Sequence, residues 1–81
     1  MLKMDGYDTA VIGQATVWVS VEGGMSREDV LIYSGQEILE TLVGRDGMDW
    51  DEAREFIEFN MEGAYVGPQT PIIVWEVEDE I

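Results

Sequence analysis

The stretch RDGMDWDEAREFIEFNMEGAYVGPQTP, Arg45 to Pro71, decides the fold. It holds a turn, a helix start, an amphipathic helix, a glycine-bounded exit and the approach to a strand. Asp46-Gly47 is a turn signal. Asp49 suits a helix N-cap, because its carboxylate can accept from a free amide of the first turn. Glu52 three residues later has capping-box spacing. Met48 before the cap and Ala53 inside it form a small hydrophobic staple. The apolar stripe of this helix is Trp50, Ala53, Phe56 or Ile57, and Asn60 or Met61. The segment Glu62 to Gly67 ends the helix, with Tyr65 and Val66 expected to pack inward, and Pro68 forbids its continuation. Thr70-Pro71 leads into a strand over Ile72 to Val77.

Upstream of this block lies a second helix. Ser34 can cap it, Glu37 has the capping-box spacing, and Ile38, Leu39, Leu42 and Val43 recur at helical spacing. Gly44 is the expected stop. Before it come β-branched and aromatic runs, as strands prefer. Ala10 to Ile12 is apolar, Gly13 suits a bulge or bend, and Thr16 to Val21 alternates. That alternation puts Val17, Val19 and Val21 on one face and Thr16, Trp18 and Ser20 on the other. Glu22 to Ser26 reads as a loop, and Val30 to Tyr33 as the next strand of an antiparallel hairpin.

The order is therefore ββααβ, a small α+β single domain over residues 1–81, with 78–81 expected as a frayed tail. The expected architecture is a three-stranded antiparallel sheet with two helices packed on one face. The last strand is expected beside the first, which would then be central. Such a sheet has an open face. Either Trp18 and Trp75 lie there and provide a surface for self-association, or they are core and the valines face out.

Composition bounds the chemistry. Eighteen acids face only Lys3, Arg27, Arg45 and Arg54, for a formal net charge of −14. Such a chain repels phosphate backbones and anionic lipids, so direct nucleic-acid or membrane binding is not expected. A basic protein surface is the favoured partner. The chain lacks His and Cys. It thus lacks the commonest general base, the best thiol nucleophile, disulfides and thiolate metal sites. Ser20, Ser26 and Ser34 have no recognisable activating partner, and close carboxylate pairs are inevitable at this acid content. No catalytic residue is assigned, and an enzyme is not expected.

Asp46, Asp49 and Asp51 are close together, but neither Asp46 nor Asp49 starts a calcium-loop register. Position 5 is Trp50 in one and Ala53 in the other. These acids suit a helix N-terminus instead, where the backbone dipole favours negative charge. Gly63 to Gly67 is not followed by a lysine and leaves a helix, so it does not cradle phosphate. No metal or cofactor is expected. The N-terminal residues Met1 to Asp8 carry no apolar run of the kind a secretory leader has, so a cytoplasmic location is expected.

What remains is an acidic helix face. Asp51, Glu55, Glu58 and Glu62 follow i, i+4, i+7, i+11 and align on one side. At a rise of about 1.5 Å per residue, neighbouring acids are about 5 Å apart along the axis. Joined to Glu37 and Glu40 on the first helix, the stripe would imitate a phosphate backbone toward a basic groove. Arg54 can pair with Asp51 or Glu58.

The residues Asp46-Gly47-Met48, Asp51-Glu52-Ala53, Glu55-Phe56, Glu58-Phe59-Asn60, Gly63 to Gly67 and Thr70-Pro71 resemble a block found in small uncharacterised bacteriophage-encoded proteins. That block runs DGM, EA, an Asn preceded by an aromatic, GAYVG and TP. It covers about a third of the chain. Tyr7-Asp8, Ala10 and Ile12-Gly13 resemble the N-terminal part of the same proteins more faintly. The resemblance implies phage origin and action in the host cytoplasm, and brings no activity with it. Asn60, polar beside the apolar stripe, either satisfies the backbone of the Gly63 to Gly67 turn or belongs to a site.

The sequence thus points to a non-enzymatic acidic binding protein of phage type. It would occupy a basic, nucleic-acid-binding surface of a host protein, as a DNA-mimic-like or anti-defence inhibitor. The alternative is a small self-associating assembly domain, a possible homodimer, whose acidity only gives solubility.

Overall fold

The computed structural model describes residues Met1 to Glu76. A short 3-10 turn, Asp8–Ala10, leads into strand β1 (Val11–Val21). Strand β2 (Gly24–Ser34) follows, then helix α1 (Gly35–Asp46) and helix α2 (Trp50–Ile57). A π-helical turn (Glu58–Glu62) and strand β3 (Ile72–Val74) complete the chain. The ββααβ order and the α+β class are as the sequence implied. The tail 78–81 and Val77 lie outside the described residues.

The two hairpin strands are longer than their apolar residues suggest. The expected loop shrinks to Glu22-Gly23, and Met25 to Asp29 belong to β2, paired residue for residue with β1. Polar side chains are poor strand formers, but pairing with a strongly β-prone neighbour overrides that preference. Glu22 keeps a negative φ, which excludes the primed hairpin turns, and Gly23 supplies the +90° that the third position of a type II turn requires. At the other end the register shifts between Val11 and Gly13, the bulge that Gly13 announced.

The sheet order is β1-β2-β3, and β3 runs parallel to β2, with Ile32, Tyr33 and Ser34 opposite Ile72, Ile73 and Val74. This corrects two expectations: the sheet is mixed, and β2 rather than β1 is central. The reason is the connection. β2 passes directly into α1 at Ser34, and the two helices carry the chain back to the start of the β2 C-terminal half, as a crossover does.

Both helix starts follow the local chemistry. The Glu37 amide donates to Ser34 Oγ at 3.2 Å, and the Glu52 amide donates to Asp49 Oδ1 at 2.8 Å. Helix α1 does not stop at Gly44; it runs to Asp46 and ends on Gly47 at φ 71°. A left-handed C-cap explains this, because Gly47 supplies that conformation and its amide reaches the Leu42 carbonyl.

The core gathers Tyr33 from β2 with Ile38, Leu39 and Leu42 from α1 and Ala53 and Ile57 from α2. Tyr7 and Ala10 close it from the N-terminal side. Each fully buried aliphatic stabilises by roughly 1.5–3 kcal/mol. Tyr33 is fully buried and its hydroxyl accepts from the Met4 amide at 2.8 Å, which satisfies its polar end. From the hairpin, only Val11, Leu31 and Tyr33 join this cluster. Most of β1 and the first half of β2 therefore project as a two-stranded arm. The shape records it: the extents are 44 × 31 × 20 Å and the radius of gyration is 14.0 Å. A compact chain of this length has a radius of about 12 Å.

Candidate protein-binding face

The acidic residues of α2 lie where the periodicity places them. Ala53 and Ile57 are buried, and Asp51, Glu55 and Glu58 are exposed on the side away from them. Glu37 and Glu40 are exposed on α1, opposite Ile38, Leu39 and Leu42. Arg54 pairs with Glu58, its Nε 3.4 Å from Oε1, which partly neutralises one member of the stripe. Asp51 and Glu55 make no ion pair among the described residues.

Glu62 has a different role. The chain leaves α-helical geometry after Ile57, and an i→i+5 turn rotates the following residues around the axis relative to an α-helix. Glu62 accepts a hydrogen bond from the Trp75 indole Nε1. It is thus committed to an internal contact and no longer continues the row of Asp51, Glu55 and Glu58. Asn60 serves the same irregular turn. Its side-chain amide donates to the Phe56 carbonyl at 3.1 Å, so its backbone partner lies one turn earlier than the Gly63 to Gly67 segment.

Trp75 does not lie on the open face of the sheet. It has the parity of Ile73, which packs toward the helices, and its ring rests against Gly35. The Arg54 guanidinium lies 4.0 Å from the ring centroid. Trp18, by contrast, is 66% exposed. It pairs with Arg27, which alternates with Leu31 and Tyr33, so Trp18 shares their sheet face rather than the opposite one. Its exposure comes from its place on the arm, beyond the core. Arg27 sits 5.9 Å from its ring centroid.

Other large apolar side chains are exposed, and for Trp50, Tyr65 and Val66 burial was expected. Phe59 is 79% exposed, and Trp50, Tyr65 and Val66 also face solvent. The expected inward packing of Tyr65 and Val66 does not occur; Met61 and Ile73 are the residues on either side of this segment that pack against the core. Phe59 lies in the π-helical turn just beyond Glu58 and adds an exposed aromatic ring next to the end of the acidic row. Sequence reasoning missed it as a surface group. The signal was present: two residues past Ile57 is more than half a turn away from the buried stripe.

Electrostatically, the pair that stands out among the described residues lies elsewhere. Arg45 donates from Nε to Asp46 Oδ1 at 3.0 Å, and this hydrogen bond holds the Asp46 carboxyl below its ordinary range and raises Arg45. Arg45 also donates to the Gly6 carbonyl at 2.9 Å and lies 5.1 Å from the Tyr7 ring centroid, so it ties the end of α1 to the N-terminal segment. The surface has hollows of about 410 and 240 Å³. The larger is mainly apolar, with Leu2, Met4, Met61, Val66 and Ile73 on its walls and Asn60 at its edge. The smaller adjoins Ile12, Ser34, Glu37 and Trp75. Among the described residues no three acids converge as ligands for a metal, and no helix is long and apolar enough to cross a membrane.

The chain matches no protein-family model, and no curated protein or solved structure is significantly similar to it. Fold, surface chemistry and charge therefore carry the functional reading.

Proposed function

We propose that this chain is a non-enzymatic binding protein that lays the acidic side of α2 against a basic, nucleic-acid-binding surface of a protein in a phage-infected host cytoplasm. The observation that carries the reading is the exposure of Asp51, Glu55 and Glu58 on the side away from Ala53 and Ile57, with the exposed ring of Phe59 next to Glu58 in the π-helical turn. Acids give the long-range attraction and the register, and an exposed aromatic beside them gives an apolar anchor. Glu37 and Glu40 add to the same field from α1, and the net charge of −14 steers a basic partner. Glu62 is left out of the contact set, because it is engaged by Trp75.

The test is capture from bacterial lysate at low and high salt, with bound proteins identified by mass spectrometry. The expected result is one nucleic-acid-binding protein, released by high salt and displaced by duplex DNA. The triple variant Asp51→Asn, Glu55→Gln, Glu58→Gln keeps the wild-type circular dichroism and loses that protein. Undiminished capture by the triple variant would refute the reading. Phe59→Ala separates the two components: it weakens capture at every salt concentration without changing the salt slope.

A further inference from the structure

The unprotected element of this fold is strand β1. It is an edge strand of eleven residues, and among the described residues β2 is the only strand paired with it. Edge strands are ordinarily blunted by charge, by proline or by being short. β1 reads VIGQATVWVSV: it has no charged residue and no proline, on a chain where 27% of residues are charged. Its only irregularity, the bulge at Ile12, lies at the end nearest the core.

The free hydrogen-bonding groups of this edge can be assigned. The two-residue turn closes on Val21 opposite Gly24, which must be a hydrogen-bonded pair, and the ladder alternates from there. The amides and carbonyls of Val19, Val17 and Ala15 thus face β2. Those of Ser20, Trp18, Thr16 and Gln14 face outward, and all four residues are exposed.

We propose that β1 pairs antiparallel with β1 of a second copy of this chain, about a two-fold axis through Val17, to make a continuous six-stranded sheet. Only a register centred on Val17 uses all four outward residues. Gln14 then lies opposite the partner's Ser20, and Thr16 opposite the partner's Trp18. On the other face Val17 meets the partner's Val17, and Ala15 meets the partner's Val19. No charge lies opposite a like charge across this ladder, which an acid-bearing strand could not achieve. Trp18 comes within diagonal reach of the partner's Trp18, which gives its exposed ring a cover. A second copy is the occupant that fits, because the strand is neutral within a strongly acidic chain, so the ladder it forms with itself sets no acid against another acid. The pairing is independent of the acidic face of α2 and has the opposite salt response. Salt screens the repulsion between two chains of charge −14 and strengthens the dimer, whereas it weakens capture of a basic partner.

The chain has no cysteine, so a single introduced one reads out the register. Val17 and the partner's Val17 would form a non-hydrogen-bonded pair with Cα atoms about 4.5 Å apart, within the disulfide range of about 4.4–6.8 Å. Val19 and the partner's Val19 would be four residues out of step, about 13 Å apart. Sedimentation equilibrium of the wild-type chain is expected to show a dimer that tightens with salt. Under mild oxidation Val17→Cys runs as a linked dimer on a non-reducing gel, and Val19→Cys stays single. Thr16→Pro removes one outward amide and spares the β2 ladder, so it is expected to sediment as a monomer with the wild-type circular dichroism. A wild-type monomer at all concentrations, or equal linking of both cysteine variants, or failure of Val17→Cys to link, overturns the proposal. The cysteine pair decides the matter even if Thr16→Pro does not fold.

Discussion

Gly35 offers the most direct test of how the helices lock onto the sheet. A Cβ built there would lie 2.5 Å from Cδ2 and Cε2 of Trp75 and 2.8 Å from Cε3. Ordinary carbon contacts are about 3.5–4.0 Å, so Gly35→Ala must push the ring back by about 1 Å. The ring has nowhere free to go, because Arg54 stacks 4.0 Å from its centroid and Glu62 holds its indole nitrogen. Overpacking of this kind costs about 1–3 kcal/mol. Loosening the Arg54 stack adds roughly 0.5–1 kcal/mol, and the helical preference of Ala over Gly offsets about the same amount. The net expectation is a loss of about 1–3 kcal/mol, or a fall in Tm of roughly 5–20 °C for a domain of this size. Urea unfolding followed by far-ultraviolet circular dichroism measures it. The same substitution in a Trp75→Ala background should be neutral or mildly stabilising, because the obstructing ring is gone. A neutral Gly35→Ala in the wild-type chain, or an equal loss in both backgrounds, would refute the close-packing argument.

Three further outcomes follow from single contacts. Tyr33→Phe leaves the Met4 amide without its acceptor; it should cost about 0.5–1.5 kcal/mol in urea unfolding and speed hydrogen exchange at Met4. Asp49→Ala removes the α2 cap and should cost about 0.5–2 kcal/mol, seen as a lower urea midpoint. Asp46 has its carboxyl held below the ordinary range by Arg45. Its contribution is therefore fully present above the unfolded-state value of about 4 and is lost as pH falls through the folded-state value. Thermal melts from neutral to acid pH should show Asp46→Asn with a shallower decline than wild type in that acid window; a parallel decline would count against the Arg45 contact.

Local chemistry was legible in the sequence and long-range pairing was not. The caps at Ser34 and Asp49 each need a hydroxyl or carboxylate and an amide three residues away, so spacing alone announces them. The buried face of α1 and the exposure of Asp51, Glu55 and Glu58 follow from helical period. Met25 to Asp29 carried no strand signal, because their place in β2 is set by a partner strand rather than by their own side chains. The parallel setting of β3 depends on the path of two helices, and no residue of Ile72 to Val74 encodes it. The fate of Trp75 depends on Gly35 and Arg54, both distant in sequence. The departure of Glu62 from the acidic row depends on the π-helical turn, which no residue of Glu58 to Glu62 announces.

The short parallel strand β3 has a consequence for the order in which the structure assembles and opens. Hairpin and helix contacts join neighbouring stretches of chain, but Ile72 meets Ile32 about forty residues away. Closing so long a loop costs entropy before any contact repays it, and β3 returns only three residues of ladder. β3 is therefore the last element to dock and the first to leave in sub-global opening. When it leaves, it takes Trp75 with it and releases Arg54 and Glu62 together. The indole is thus a built-in reporter of partial unfolding: its emission would change at lower urea than the helical circular dichroism, while α1 and α2 still stand on the hairpin.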